Sequence, residues 1–440
     1  MAHPEHWRTR ESRGMGLGLD FGTTNSSIAL ATGSGDVEIV QFPAPIGLTE
    51  SFRSLLYLER HREGGRTTIK NWSGPEGIER YLRSDEKGRL IQSLKSFLAS
   101  RSLQSTEIFG RQFRLETLIA RILKDIRAVA EKRFGTDLPP VVVGRPVRFV
   151  SAESDQDDDY ALSRLRESLN EAGFSRVTFE FEPVGAAYHY ESTLESDELI
   201  VIGDFGGGTS DFSLLRVGPS FSSGRAGSER VIGNQGLGLA GDGFDAKLIR
   251  HLVSPALGAG TSLKSGEKLL PVPNWVYLKL ERWHHLSFLK SQETMNLLTS
   301  VARQALEPEK IEALLYLVRH DLGYQLHRAI QKVKASLSHN EAATFRFDDG
   351  DVAIRAEVTR TQFESWIAEE LYAIKDSLSA LLTKTGIAPA KVDRVFLTGG
   401  SSFVPAVRHI FESRFGPEKI RTGDEFTSVA RGLALRSLHT

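Results

Sequence analysis

The amino-acid sequence predicts an α/β protein of two similar lobes, each with a mixed sheet and flanking helices. One strand–turn–strand hairpin occurs twice, with Asp-Phe-Gly at residues 20–22 and again at 204–206. Apolar strands also alternate with amphipathic helices in a comparable order after each copy. A repeat at this distance indicates a duplicated domain, and alternating strands and helices are typical of α/β folds.

The first lobe is expected to span residues 15–195, after a polar segment 1–14 that we expect to be disordered. Residues 50–112 are interpreted as an inserted subdomain of short strands and basic helices. The acidic run 155–159 is expected to be a solvated loop before a helix. The expected elements are a hairpin over 15–32, helices over 114–133, 160–172 and 183–190, and strands at 140–144 and 177–181.

The second lobe is expected to span residues 196–440, with a mainly helical insertion at 241–321. Three aromatic residues in that insertion, Trp275, Tyr277 and Trp283, are expected to lie in its core. The other expected elements are a hairpin over 198–217, helices over 322–337, 361–383 and 404–415, and a strand at 392–397.

Composition narrows the class of protein. The chain of 440 residues is 40% hydrophobic and 25% charged, as in ordinary globular proteins. A formal net charge of -1 gives no basic excess, so a nucleic-acid partner is not expected. Cysteine is absent, which excludes disulfides and thiolate metal sites. No secretory signal or membrane-spanning run is found, and we expect a cytoplasmic monomer.

The two hairpin turns are the first candidates for chemistry. Small residues allow backbone N–H groups to approach a phosphate, and both turns also contain threonine. Asp20 and Asp204 end the first strand of each copy, where a carboxylate can reach Mg²⁺ or its bound water. Each turn alone is equally consistent with an ordinary β-turn. Two copies in one chain favour a pair of phosphate loops.

Other positions have a structural and a functional interpretation. Lys95 lies in a mostly apolar stretch, 90–97, expected to be helical, where a lysine can extend to solvent or neutralise a γ-phosphate. Glu182 precedes a proline and is either a surface carboxylate or a group that orients water. Gly399 and Gly400 follow a strand and could pack against a flat ligand such as adenosine.

Several other classes of protein lack their sequence patterns. The P-loop, the dinucleotide-binding glycine pattern and the H-E-x-x-H zinc pattern are absent. Asp-Phe-Gly occurs in protein kinases, but the other kinase motifs are missing, as is the serine-hydrolase elbow. An aspartic protease needs a small hydroxyl residue where Phe21 and Phe205 stand.

Four segments together resemble the ATPase domain of the seventy-kilodalton heat-shock chaperones of the DnaK type. The resemblance runs in order from about residue 15 to about residue 436 and is similar to the YegD-type branch of putative chaperones. It implies the duplicated actin-like ATPase fold, which is related to ribonuclease H. The four segments are the two phosphate loops at 19–26 and 204–211, the connecting segment at 182–187 and the adenosine motif at 398–402.

The resemblance also implies a cofactor and residue roles. ATP or ADP with Mg²⁺ would bind between the lobes, and Pro146 falls on the interlobe switch proline. Catalytic roles fall on Lys95, Glu182, Asp204, Thr209, Asp20 and Asp211, of which Asp20 and Asp204 hold the metal mostly through water. Nucleotide contacts fall on Gly22, Thr23, Thr24, Asn25, Gly206, Gly207, Gly208, Lys334, Ser338, Gly399, Gly400, Ser401 and Phe403.

The sequence departs from the resembled family at the adenosine end and at the carboxyl end. Gln331 stands where the family has Glu, and Ala335 and Phe403 stand where it has Arg. Phe403 still offers a face for stacking, so we expect weaker recognition of the base than of the phosphates. We expect no peptide-binding domain in this chain, and therefore an output to a protein client or co-chaperone.

Four functions follow from these observations. The first is slow ATP hydrolysis in which lobe closure acts on a partner. The second is a nucleotide sensor or scaffold without turnover. The third is a small-molecule kinase of the same fold, and the fourth is an actin-like filament former. The sequence alone leaves these alternatives open.

Overall fold

A computed structural model of the chain describes most of its residues. The predicted disordered segment, as far as residue 13, and Trp283 lie outside the described residues. The described ranges are 14–44, 47–63, 66–84, 88–191, 194–222, 230–239, 241–282, 289–422 and 428–439.

The first sheet is built around the first hairpin. Its two hairpin strands pair antiparallel over seven residue pairs, from Met15 opposite Thr32 to Phe21 opposite Ser26. Two further strands extend the sheet in parallel on one side, and short antiparallel strands extend it on the other. In spatial order the strands are Val177–Phe181, Val141–Arg145, Met15–Phe21, Asn25–Thr32 and Val37–Ile39, and Phe52–Arg53 also pairs with Asn25–Thr32.

The second sheet repeats this arrangement around the second hairpin. Its hairpin strands pair antiparallel, two parallel strands follow on one side, and one antiparallel strand completes the other side. The five-strand order of the first sheet therefore recurs, and the α/β class predicted from the sequence is confirmed. In spatial order the strands are Ile420–Thr422, Arg394–Thr398, Glu198–Phe205, Ser210–Val217 and Val231–Leu237.

The helices beside the first sheet agree with the sequence analysis except at one end. Ser154 caps the second helix, and its hydroxyl accepts a hydrogen bond from the Asp157 backbone N–H. The acidic run 155–159 forms the first turns of that helix, so the expected solvated loop is wrong. Carboxylates at a helix N-terminus are stabilised by the helix dipole. The three helices are Leu115–Phe134, Asp155–Glu171 and Glu182–Glu191.

The helices beside the second sheet also begin and end near their predicted limits. The predicted helix 361–383 is interrupted at Ile367 and forms two helices. A hairpin of Ala342–Asp349 and Val352–Thr359, which the sequence analysis missed, precedes them. The helices are Gly323–His339, Arg360–Trp366, Ala368–Thr385 and Pro405–Phe415, with 3₁₀ turns at Pro389–Lys391, Gly400–Phe403 and Pro417–Lys419.

The first insertion contains a three-stranded sheet and a helix. Lys95 lies in a 3₁₀ helix that follows a strand, so the helical stretch predicted over 90–97 is only partly helical. The elements between the sheet strands are Phe42–Pro43, Leu48–Thr49, Leu55–Glu63, Arg66–Ser73, Gly74–Arg83, Arg89–Gln92, Leu94–Phe97, Ser105–Ile108 and Arg111–Arg114.

The region 241–321, which the sequence analysis interprets as a second insertion, contains mainly helices and one small hairpin among its described residues. Tyr277 is buried there, but Trp275 is 41% exposed, so the expectation that both aromatic residues lie in the core holds for Tyr277 alone. A short helix, Pro219–Ser222, precedes this region. The elements are Gly241–Leu248, Ile249–Val253, Ser254–Leu257, Ser262–Ser265, Lys268–Pro271, Trp275–Leu280, Gln292–Gln304 and Pro308–Arg319.

The last helix, Ser428–Ser437, returns to the first sheet although it follows the second sheet in the chain. Ala430 and Ala434 are fully buried in one apolar cluster with Ala29 and Ala31 of the first hairpin. The end of the predicted second lobe, 196–440, therefore packs on the first lobe instead. Within the part of the chain that the structure describes, no helix combines the length and apolar character needed to cross a membrane.

Candidate functional site

A cleft of about 990 Å³ lies between the two hairpin turns. All residues that the sequence analysis proposed for the site line this cleft, except Gly208. Pro146, Gln331 and Ala335 line it as well. Residues that are far apart in the sequence are therefore neighbours in space, while their individual roles stay predictions.

The two turns approach each other closely at the centre of the cleft. A Cβ atom added to Gly207 would lie 2.4 Å from the Thr24 hydroxyl oxygen of the other turn. The absence of a side chain at Gly207 therefore allows this close approach to the Thr24 side chain. The Gly207 carbonyl also accepts a hydrogen bond from the Asp242 N–H at 2.7 Å, which fixes the second turn from behind.

The phenylalanine of each Asp-Phe-Gly sequence anchors its turn in a core. Phe21 and Phe205 are each 1% exposed. The aspartate before each phenylalanine lies one residue from the strand end, on the opposite side of the pleat. The alternation thus buries the ring and turns the carboxylate of Asp20 or Asp204 to the cleft.

Lys95 is a buried cation at the cleft floor. Its Nζ donates to Glu182 Oε1 at 2.6 Å, and its side chain is 7% exposed. Burial favours a lower pKa for Lys95, but the carboxylates of Glu182 and Asp20 outweigh it and raise the pKa. Lys95 is therefore charged, and its interpretation as a solvent-extended lysine is excluded.

Carboxylates outnumber this cation. Burial, and then the charge of Glu182, raise the pKa of Asp20 to about 8. Burial and the neighbouring Asp204 raise the pKa of Asp211 to about 7. Burial also raises the pKa of Asp204. The unfavourable concentration of negative charge fits a bound divalent cation, which would favour the ionised carboxylates.

The spacing of the acidic side chains limits how a metal ion could be bound. Among the described residues, no group of three or more acidic or histidine side chains is close enough to hold a metal ion directly. Mg²⁺ commonly keeps several waters and takes its remaining ligands from one or two carboxylates and the phosphates. Asp20 and Asp204 fit such a water-mediated site better than an all-protein cage.

The helix Gly323–His339 forms the far wall. Lys334 Nζ lies 2.7 Å from Asp245 Oδ1 and donates to the Gly241 carbonyl at 3.1 Å. The predicted nucleotide contact at Lys334 is therefore already paired with a carboxylate. The Ser338 hydroxyl donates to the Lys334 carbonyl, one turn earlier in the same helix, at 3.2 Å.

The turn after the strand Arg394–Thr398 completes the cleft. Gly399 has φ of 81°, and a Cβ there would lie 2.0 Å from the Phe205 carbonyl oxygen, so glycine is required. The Ser401 hydroxyl is buried without a hydrogen-bond partner in the described structure. A polar ligand at this turn would satisfy it. Phe403 is 44% exposed and presents an open ring.

Sequence reasoning missed several residues of the cleft. Arg53, Arg148 and Asp245 line it, and no short motif marks them. Asp242 also lines it, at the end of the glycine-rich segment 233–242, which the sequence by itself indicates only weakly as a hinge loop beside a ligand.

Comparison with known proteins now identifies the family. The Hsp70 protein family matches residues 89–260 and 319–438, well over half of the chain. The chain therefore belongs to the Hsp70 family. Membership implies the actin-like ATPase fold and supports a chaperone-like ATP-binding module. Members of this family are ATPases that generally bind ATP or ADP with Mg²⁺.

The chain is similar to the chaperone protein DnaK of Thermosipho melanesiensis. The two are 24% identical over 423 residues, which cover 96% of this chain and 58% of DnaK. The chain thus spans less than two thirds of that relative's length. Residues 261–318, within the second insertion, lie outside the family match.

Proposed function

We propose that this chain binds Mg-ATP between its lobes and hydrolyses it slowly to ADP and phosphate. The observation that carries the proposal is the buried Lys95–Glu182 pair, at 2.6 Å, beside Asp20, Asp204 and Asp211 in the cleft of both turns. A charged lysine and an excess of carboxylates suit a triphosphate with its metal ion.

Each residue has a distinct part in the proposed reaction. Water attacks the γ-phosphorus, the bond to the β-phosphate oxygen breaks, and ADP leaves. Glu182 orients the attacking water, and Lys95 stabilises the charge on the transferred group. The backbone N–H groups of both turns hold the phosphates. Mg²⁺, when bound, would neutralise phosphate charge from the side of Asp20 and Asp204.

The output of the cycle is proposed to be lobe closure that acts on another protein. Two phosphate loops on separate lobes support this, because one nucleotide would contact both. The partner would be a protein client or a co-chaperone. Within the Hsp70 family we assign the chain to the YegD-type branch, from the resemblance of its phosphate loops and its adenosine motif.

The proposal predicts that Lys95→Ala abolishes most turnover while ATP still binds. Loss of one group that stabilises transition-state charge typically lowers the rate by about 10² to 10³. Single-turnover hydrolysis and calorimetric ATP binding measure the two effects. Lys332→Ala is the matched control, because Lys332 is exposed on the helix Gly323–His339.

Asp204→Asn is expected to lower the rate and to weaken its Mg²⁺ dependence, since the variant loses one carboxylate charge. Unchanged hydrolysis in both Lys95→Ala and Asp204→Asn would reject the proposed catalytic site. ATP binding by the wild-type chain without any turnover would instead identify a nucleotide sensor.

A further inference from the structure

We propose that Arg53 is a phosphate-binding residue of the cleft, acting from the first lobe beside the first turn. The inference rests on the proposed function and deepens it. It assigns to Arg53 the di- or triphosphate part of a nucleotide rather than its nucleoside part. Neither the sequence motifs nor the family resemblance assigned a role to this residue.

The backbone holds Arg53 next to the first turn. The strand Phe52–Arg53 pairs with the strand Asn25–Thr32, and Arg53 lies opposite Asn25. The next residue, Ser54, donates its N–H to the Thr24 carbonyl at 2.9 Å. Arg53 is thus fixed to the residues that follow the Asp-Phe-Gly sequence.

The side chain of Arg53 extends into the space between the lobes. One of its terminal nitrogens, Nη1, donates to Asn25 Oδ1 at 3.3 Å, which is a long hydrogen bond. Arg53 lines both the main cleft and a side cavity of about 30 Å³. A cavity of this size can hold about one water molecule, so the larger space beside Arg53 is the main cleft.

Charge distinguishes Arg53 from the other cations of the cleft. Lys95 and Lys334 lie 2.6 and 2.7 Å from a carboxylate, and Arg148 lies 2.9 Å from one. Lys384 is exposed. Among the described residues, Arg53 alone of these five cations is both partly buried and without an ion pair.

Burial lowers the pKa of Arg53, and the nearby Tyr324, Asp242 and Asp245 only partly oppose this. Asp245 is already paired with Lys334. A desolvated guanidinium without a close anion is unfavourable until an anion supplies the missing charge. A phosphate matches the fork of N–H donors that a guanidinium presents.

A different role for Arg53 would be to hold the lobes together through Asp242. Asp242 lies on the second lobe and contributes to the electrostatic environment of Arg53. The phosphate-binding role is favoured, because no carboxylate of the described residues lies close enough to Arg53 to form an ion pair. The two roles differ in what they predict for ligands with and without phosphate.

The test compares ATP, ADP and adenosine by calorimetry in the wild-type chain, Arg53→Gln and Arg53→Lys. Arg53→Gln is expected to weaken ATP and ADP binding roughly tenfold, because one charge-assisted contact is lost. The affinity of Arg53→Gln for adenosine is expected to stay within about twofold of the wild-type value, because adenosine carries no phosphate for Arg53 to bind. Arg62→Gln is the control, because Arg62 is exposed on the strand Leu55–Glu63.

The outcomes separate this inference from the proposed function. Equal losses for ATP and adenosine would show that Arg53 acts on lobe closure and would overturn the inference. Unchanged ATP binding in Arg53→Gln would also overturn it, while the proposed function would stand. Failure of the wild-type chain to bind ATP would reject both. If Arg53→Gln does not fold, Arg53→Lys provides the test. Its affinity for ATP and ADP is expected to fall, by less than about tenfold, while its affinity for adenosine stays unchanged.

Discussion

At the scale of single residues, the contact between the two turns depends on the absence of one side chain. Gly207 and Thr24 belong to different copies of the hairpin, yet a Cβ on Gly207 would lie 2.4 Å from the threonine hydroxyl. The Thr24 contact is therefore part of the geometry that would hold one phosphate chain from both sides. It also explains why a glycine stands at this position of the second turn.

Gly207→Ala is expected to separate the turns and to weaken ATP binding by roughly 10-fold or more, the size of a 1–3 kcal/mol packing clash. Gly208→Ala is the comparison, because a Cβ at Gly208 meets no atom within 4 Å and the backbone N–H is kept. Calorimetric titration with ATP measures both variants. Similar losses of ATP affinity in the two variants would show that adding any methyl group to this turn weakens binding, and would contradict a specific clash with Thr24.

Residues of the cleft differ in how far the sequence could predict them. Asp20 and Asp204 were found because each belongs to a short motif that occurs twice. Arg53 and Asp245 belong to no motif, and their importance arises from neighbours far away in the chain. A single sequence shows local patterns but does not show which distant side chains meet.

At the scale of elements, the segment that carries Lys95 owes its shape to one arginine. Arg164, 3% exposed on the helix Asp155–Glu171, donates from Nη1 to the carbonyls of Phe97, Leu98 and Ser100 and from Nη2 to that of Leu103. Its Nε pairs with the buried Glu116. One guanidinium thus satisfies four carbonyls of an irregular segment, whose backbone groups would otherwise be buried without partners.

Arg164→Leu is expected to destabilise the chain by about 3–5 kcal/mol, because it leaves Glu116 and these carbonyls unpaired. It is also expected to slow single-turnover hydrolysis more than it weakens ATP binding, since Lys95 lies just before the carbonyls that Arg164 holds. Arg166→Leu is the control, as Arg166 is on the same helix and its contact with the Val177 carbonyl is exposed. Urea unfolding and rapid-quench kinetics measure the two effects.

Equal behaviour of the Arg164 and Arg166 variants would contradict this assignment. The predicted helix over 90–97 is wrong in part because the strand Arg89–Gln92 pairs antiparallel with the strand Leu55–Glu63. Ser93 adopts φ of 59° between the strand Arg89–Gln92 and the 3₁₀ helix, a conformation that its own sequence does not favour. Pairing with a strand from earlier in the chain thus overrides the local apolar pattern there.

At the scale of the whole molecule, the duplication could be predicted because both hairpins contain the same Asp-Phe-Gly sequence. The α/β class follows from the alternation of strands and helices, but the five-strand order that the two sheets share does not. The return of the last helix to the first sheet could not be predicted in this way. Its buried face is made largely of Ala and Gly, which give a weak amphipathic signal, and its partners lie near the other end of the chain.

The return helix also makes a close backbone contact with the helix Glu182–Glu191. A Cβ on Gly432 would lie 1.8 Å from the Gly185 carbonyl oxygen, in the helix that begins with Glu182. Backbone cannot move aside as a flexible side chain does. Gly432→Ala is therefore expected to lower the free energy of unfolding by about 1–3 kcal/mol, although alanine normally favours a helix.

Urea unfolding measures that loss, and amide hydrogen exchange locates it. The strands Met15–Phe21 and Asn25–Thr32 are expected to exchange faster in Gly432→Ala, because the helix Ser428–Ser437 covers them. Gly243→Ala is the control, since Gly243 lies in a helix and its added Cβ meets only Leu239 Cγ at 3.7 Å. The control should gain about 0.5–1 kcal/mol from helix propensity. A gain of the same size in Gly432→Ala would contradict the close contact between the two helices.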